Sequence, residues 1–257
     1  MSVTVERDGP LAVVTHAAPP VNLWDQATMD GFAAALDDIE ADPPRAVLIR
    51  ADGRVVSGGV DVNLFATIAD GGAGADLWRT LLELPARLEA LPIPTVFAAH
   101  ALCLTASFEI SLACDLLLAA ESAKFGLVER VVGLTPSMGG PQRLVERAGP
   151  ARARELVYTG DLYDAATLER WNVVNRVLPD EGFDDAARAF ALDLANGPTI
   201  AHGATKRIVQ ATLAGGVAAA DSIVPEVSGV LFDTEDLRGA VASFLKQGPG
   251  KATFHGH

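Results

Sequence analysis

Two glutamates, Glu109 and Glu129, have the strongest claim to chemistry in this chain. Glu109 interrupts the otherwise apolar run from Phe97 to Cys114, and a carboxylate in such surroundings loses hydration, which disfavours its charged form. Acid/base catalysts are tuned in this kind of environment. A capping-box explanation for Glu109 fails, because the residue three positions earlier is Ala106, which has no side-chain oxygen. Glu129 is less distinctive alone, since Glu129-Arg130 also reads as a solvated pair. If the guanidinium faces the carboxyl, it lowers that pKa and weakens Glu129 as an acid.

The other reactive side chains offer less. His100 lies on an apolar strand pattern and reads as a satisfied core residue. Cys103 and Cys114 sit in apolar surroundings without CxxC spacing or a histidine cluster, so they read as buried small hydrophobes, and no metal site is expected. Ser107 or Ser111 as a hydrolase nucleophile is remote, because no GxSxG elbow is present. Gly139-Gly140 reads as a tight turn, since neither GxGxxG nor GK[ST] follows.

With 49% hydrophobic and 21% charged residues, 257 positions suffice for one substantial core. A net charge of −13 and a pI near 4.7 argue against nucleic acid as a partner. The N-terminus has no basic start followed by an apolar stretch, and polar residues break the apolar runs before the length of a membrane span. A cytoplasmic protein without membrane association is therefore expected.

The elements that must position the glutamates alternate through the first half: a strand at Leu11–Thr15, a helix over 28–39, a strand at 46–50, a helix over 76–91, a strand at 95–99, a helix opening near Ser107, and a strand at 115–120. Such alternation implies an α/β fold with crossover connections. The second half turns helical, over 151–158, 165–170, 183–196, 199–213 and 234–246, with Asp164, Asp184 and Thr234 as caps. Between them, Ala69 to Asp76 is rich in glycine and reads as the most flexible stretch, on sequence grounds an ordinary surface loop as readily as a mobile pocket wall.

The segment from Pro94 through Glu109 to Asp115, then Ala123-Lys-Phe-Gly-Leu-Val-Glu129, then Gly139-Gly-Pro-Gln-Arg-Leu144, resembles the crotonase (enoyl-CoA hydratase/isomerase) family. Val56-Ser-Gly-Gly-Val-Asp61 upstream, with Glu155 to Asp161 and Trp171 to Pro179 downstream, match the family in the same order. The resemblance implies a crotonase-like spiral of ββα units over 1–198, holding an acyl-CoA site, and a helical C-terminal region over 199–257 for trimerisation and site closure. It also implies hydration of a 2-enoyl-CoA, with coenzyme A entering as part of the substrate and no separate cofactor, and it makes the stretch from Ala69 to Asp76 a mobile wall of the acyl pocket.

Residue by residue, the resemblance assigns Glu109 to orienting and deprotonating water and Glu129 to protonating C2. The thioester oxyanion falls to the backbone N–H groups of Val60 and Ala106, and Val60, Asp61, Val62, Asn63 and Ala106 line the substrate. Lys206-Arg207 and the lysines at 246 and 251 are available for coenzyme A phosphates, although a solvated face is the default reading for them. This chain departs from the family where Thr105-Ala106-Ser107 replaces three glycines, where Val128 replaces a proline, and where Arg130 replaces an apolar residue. Those departures keep an enoyl-CoA isomerase and a non-catalytic acyl-CoA-binding homologue open as alternatives. A homotrimer or dimer of trimers is implied, with Phe244 and Leu245 near the acyl-CoA entrance.

Overall fold

The computed structural model describes residues 2–257. A hairpin of β1 (Val3–Asp8) and β2 (Leu11–His16) leads through the short strand β3 (Leu23–Trp24) into helix α1 (Gln26–Ala41). Then follow β4 (Ala46–Ala51), β5 (Gly59–Val60), the single-turn α2 (Asn63–Ala66), α3 (Gly71–Ala90), β6 (Thr95–Ala99), β7 (Cys103–Leu104), α4 (Ala106–Ala113), β8 (Leu116–Ala120) and β9 (Lys124–Gly126). A 3-10 turn at Glu129–Val132 opens the helix-rich half: α5 (Gly140–Thr159), β10 (Tyr163–Asp164), α6 (Ala165–Arg170), β11 (Arg176–Leu178), α7 (Phe183–Ala195), α8 (Thr199–Gly229) and α9 (Glu235–Gln247).

The main sheet has the order β1-β2-β4-β6-β8-β11 and is parallel except for the β1/β2 hairpin. Strands β4 and β6 are short apolar runs buried almost throughout, as sheets covered on both faces require. Two small sheets, β10-β9-β7 and the parallel pair β3-β5, carry the segments that surround the glutamates. The architecture is the expected α/β spiral with a helical C-terminal region.

Several details differ from expectation. The segment from Ala69 to Asp76 is not a loose wall: α3 starts at Gly71, because the Asp70 carboxylate accepts the N–H groups of Gly72 and Ala73 at 2.9 and 3.0 Å. Asp184 lies inside the first turn of α7 and does not cap it; the cap position is Gly182. The cap of α4 is Thr105, whose side chain makes no capping bond, so the capping box at Glu109 is absent in a register one residue earlier than expected. Helix α8 runs well past Leu213, with a break at Gly216. With the following 3-10 turn it spans Thr199–Asp233, and it is long and apolar enough, by length and composition, to cross a membrane.

Candidate active site

All eight residues of α4 are buried, and the helix is apolar all round but for Ser107, Glu109 and Ser111. Glu109 therefore projects into the interior, 2% exposed. Its Oε1 accepts two backbone N–H groups, from Met138 at 2.9 Å and Gly140 at 2.8 Å. Burial pushes its pKa up to about 7, opposed by those two hydrogen bonds and by the nearby Arg143 guanidinium. Arg143 in turn pairs with Glu89 and donates to the Gly139 carbonyl at 3.1 Å, which pins the turn that holds Glu109.

The Gly139-Gly140 pair is thus more than a turn. Gly139 takes φ +102°, and a Cβ on Gly140 would lie 3.0 Å from the Glu109 carboxylate oxygen. Only glycine lets this backbone approach the carboxylate so closely. Sequence reasoning missed Met138, Gly140 and Arg143; the doubled glycine opening a helix was the available signal.

Glu129 opens the 3-10 turn. Its pKa is pushed up to about 8, first by burial and then by the charge of Glu109. Its Oε2 is buried and bonds to no protein group among the described residues. Arg130 does not oppose this shift. Its guanidinium turns away and donates to the Tyr158 and Thr159 carbonyls at 2.8 and 2.7 Å, at the end of α5. The expected weakening of Glu129 by Arg130 therefore does not occur.

Val60 and Ala106 come together from distant elements. The Val55–Val60 turn is organised by Asn22 and Ser57: Ser57 Oγ donates to the Asn22 carbonyl at 2.8 Å and accepts the Gly59 N–H at 3.0 Å. Gly59 takes φ +111°, and a Cβ there would meet Thr105 Oγ1 at 3.0 Å, so β5 lies directly against the start of α4. Ala106 is the first residue of α4, where an N–H has no intrahelical acceptor and the helix dipole is positive. Thr105 before it takes φ 47° and ψ −119°, a strained conformation for a β-branched residue. Val60 and the first turn of α4 thus lie close together, on the same side of the fold as the two raised carboxyls.

Asp61, Val62 and Asn63 follow β5 directly and lead into α2. Asp61 Oδ1 accepts the backbone and side-chain N–H groups of Asn63 at 3.0 and 2.8 Å, while Val62 is exposed. Phe65 of α2 then leans on Trp78 of α3, ring centroids 5.8 Å apart. Other candidates lie apart: His100 bonds to the Gly53 carbonyl, both cysteines are buried and free, and Lys206 is engaged with Asp115 at 2.9 Å. Lys206 is therefore neither a solvated charge nor an unoccupied phosphate ligand.

A fold of this topology brings two raised carboxyls to a buried helix near its first turn, an arrangement suited to acid/base chemistry. The chain belongs to the enoyl-CoA hydratase/isomerase, or crotonase, family, whose model matches residues 6–255. It is 31% identical over 254 residues to a probable enoyl-CoA hydratase of Mycobacterium tuberculosis, covering 96% of this chain and 95% of the relative. It is 32% identical over 215 residues to a carnitinyl-CoA dehydratase of Salmonella enteritidis, covering 82% of this chain and 81% of the relative. An enoyl-CoA hydratase structure from Geobacillus kaustophilus superposes with a TM-score of 0.92 at 27% identity, covering 100% of this chain and 99% of that one. The enoyl-CoA hydratase of Bacillus anthracis, at 23% identity and a TM-score of 0.91, shares the fold, with complete coverage of both chains.

Proposed function

We propose that this protein is an enoyl-CoA hydratase, adding water across the 2,3 double bond of a 2-enoyl-CoA thioester. The observation that carries the reading is the pair of neighbouring glutamates, Glu109 buried and Glu129 half-buried, whose pKa values lost hydration raises to about 7 and about 8. With both carboxyls raised, the pair can hold a single proton near neutral pH, one carboxyl taking a proton from water while the other delivers one to C2; Glu109 as base and Glu129 as acid are the roles the family resemblance implies. The Val60 and Ala106 N–H groups would hold the charge that builds on the thioester oxygen, and Asp61, Val62 and Asn63 would border the acyl group. Hydration of this kind needs no group beyond the protein and its substrate. Two retained carboxyls favour hydratase over an isomerase, which moves a proton with one.

The helical C-terminal region would assemble the chain into a homotrimer or dimer of trimers. Its support is the row of exposed apolar side chains on α8 and α9.

The decisive experiment is loss of crotonyl-CoA absorbance on mixing with purified protein. Glu109→Gln and Glu129→Gln should each lower kcat by a factor of about a hundred or more while leaving acyl-CoA binding nearly intact, because general acid/base effects of that size act in the transition state. Equal activity in wild type and both variants would sink the assignment. Tight crotonyl-CoA binding without turnover would make the protein a binder.

A further inference from the structure

Trp24 stands between the two candidate oxyanion donors, tied to one through its backbone and to the other through its side chain. Strand β3 runs parallel to β5 with Trp24 opposite Val60, and the Trp24 carbonyl accepts the Asp61 N–H at 3.0 Å. The indole Nε1 donates to Ser107 Oγ at 2.6 Å, and both residues are buried. Ser107 is the second residue of α4, adjacent to Ala106. One rigid side chain therefore spans from the strand carrying Val60 to the helix turn carrying Ala106.

That turn needs an external brace. Thr105 is strained, its side chain does not cap α4, and its Oγ1 is buried without a partner among the described residues. A strained conformation persists only where its surroundings over-determine it, and relaxation here would swing the Ala106 N–H. Three bonds hold it: Thr105 N–H to the Gly126 carbonyl at 3.0 Å, the Glu109 N–H to the Thr105 carbonyl at 2.9 Å within α4, and the indole to Ser107, the one side-chain bond that reaches the turn from β3. Trp24 is itself immobilised by Phe32 and His16, with ring centroids 5.4 and 5.7 Å away. Burial pulls the pKa of His16 down to about 4, so the wall behind the indole is uncharged at neutral pH.

We propose that Trp24 is a positioning residue: by bonding Ser107 across the two halves of the hole, it fixes the separation and aim of the Val60 and Ala106 donors. The inference rests on reading those two N–H groups as the thioester-oxygen donors.

The test compares Trp24→Phe, which keeps a ring and loses the donor, with Ser107→Ala, which loses the acceptor, and with the double variant. The readouts are kcat and KM for crotonyl-CoA and the red shift of cinnamoyl-CoA on binding, since polarisation of its carbonyl by hydrogen bonds lowers its transition energy. Each single variant should lower kcat about tenfold with KM changed less than about twofold, the scale of one hydrogen bond felt in the transition state. Each should shrink the red shift, and the double variant should be no worse than the poorer single one. Unchanged kcat and red shift, fully additive losses, or a lowered Tm with both readouts intact would overturn the proposal. Should Trp24→Phe fail to fold, Ser107→Ala removes only one hydroxyl and carries the same readouts. A wild type that shifts the cinnamoyl spectrum without turnover, with the shift reduced in both variants, overturns the hydratase reading and supports the brace. Turnover insensitive to either variant does the reverse, and a wild type showing neither overturns both.

Discussion

Glu109 and Glu129 differ from ordinary surface carboxylates chiefly in lost hydration, and that one cause has consequences for both activity and stability. The singly protonated pair is most abundant between pH of about 7 and about 8, so kcat/KM for crotonyl-CoA should follow a bell centred there. A profile flat from pH 5 to 9 would contradict the role of the pair. Stability should run the other way on the alkaline side. Both carboxyls hold protons more tightly in the fold than in the unfolded chain, so their stabilising contribution is full below the unfolded pKa of 4.5 and is lost as pH rises through about 7 and about 8. His16 acts oppositely, opposing folding increasingly as pH falls from 6.5 toward about 4. The Tm of the E109Q/E129Q double variant should therefore decline less between pH 5 and 8 than that of wild type. Thr105 supplies a separate residue-scale test: at φ 47° glycine suits the backbone and alanine does not, so Thr105→Gly should be more stable than Thr105→Ala by about 1–2 kcal/mol in denaturant unfolding. Equal stabilities would show that the turn carries no strain.

At the scale of elements, the long apolar strands and most helices were legible because their periodicity and caps are local. Thr234 and Asp164 cap α9 and α6 as their sequence positions suggest. The misjudged start of α3 shows local signals in competition: three glycines argue for a loop, yet one aspartate satisfying two helix-end N–H groups outweighs them. Strands β3 and β5, two residues each, have no periodicity to read, and they exist because Asn22 and Ser57 hold their loops together. The carboxylate of Glu109 was legible from its apolar run, whereas its partners at Met138 and Gly140 were not, because backbone N–H groups leave no mark in a sequence. Arg130 was misread for a related reason. Its side chain answers the carbonyls at the end of α5, in line with the preference of helix C-termini for cations. Arg130→Ala should accordingly cost about 0.5–1 kcal/mol of stability while changing kcat less than about threefold. A large drop in kcat with a displaced pH limb would instead place the guanidinium's effect on Glu129.

The whole molecule has a compact spiral and an apolar arm that the spiral does not cover. Along α8 and α9, Val209, Leu213, Val217, Phe244 and Leu245 are each more than half exposed, and Leu245 reaches 80%. Among the larger apolar side chains of α8 and α9, only Val227 is fully packed. Beneath α8 lies a cavity of about 800 Å³ walled by Cys114, Leu116, Val209 and Leu213 together with the Lys206–Asp115 pair. Leaving so much apolar surface in water is unfavourable by roughly 25 cal/mol for each Å², which favours covering it with another copy of the same chain in a closed symmetric assembly. A membrane span fits this arm poorly, since Gly216 takes φ +76° and breaks the helix, and Lys206, Arg207, Asp221 and Glu226 lie along it. Light scattering at micromolar concentration should give three or six times the 26.8 kDa chain mass, and Leu213→Glu with Leu245→Glu should shift it toward the monomer. A monomer mass for the wild type, with activity unaffected by dilution, would mean that these faces are covered by nothing in solution and that the trimer is wrong.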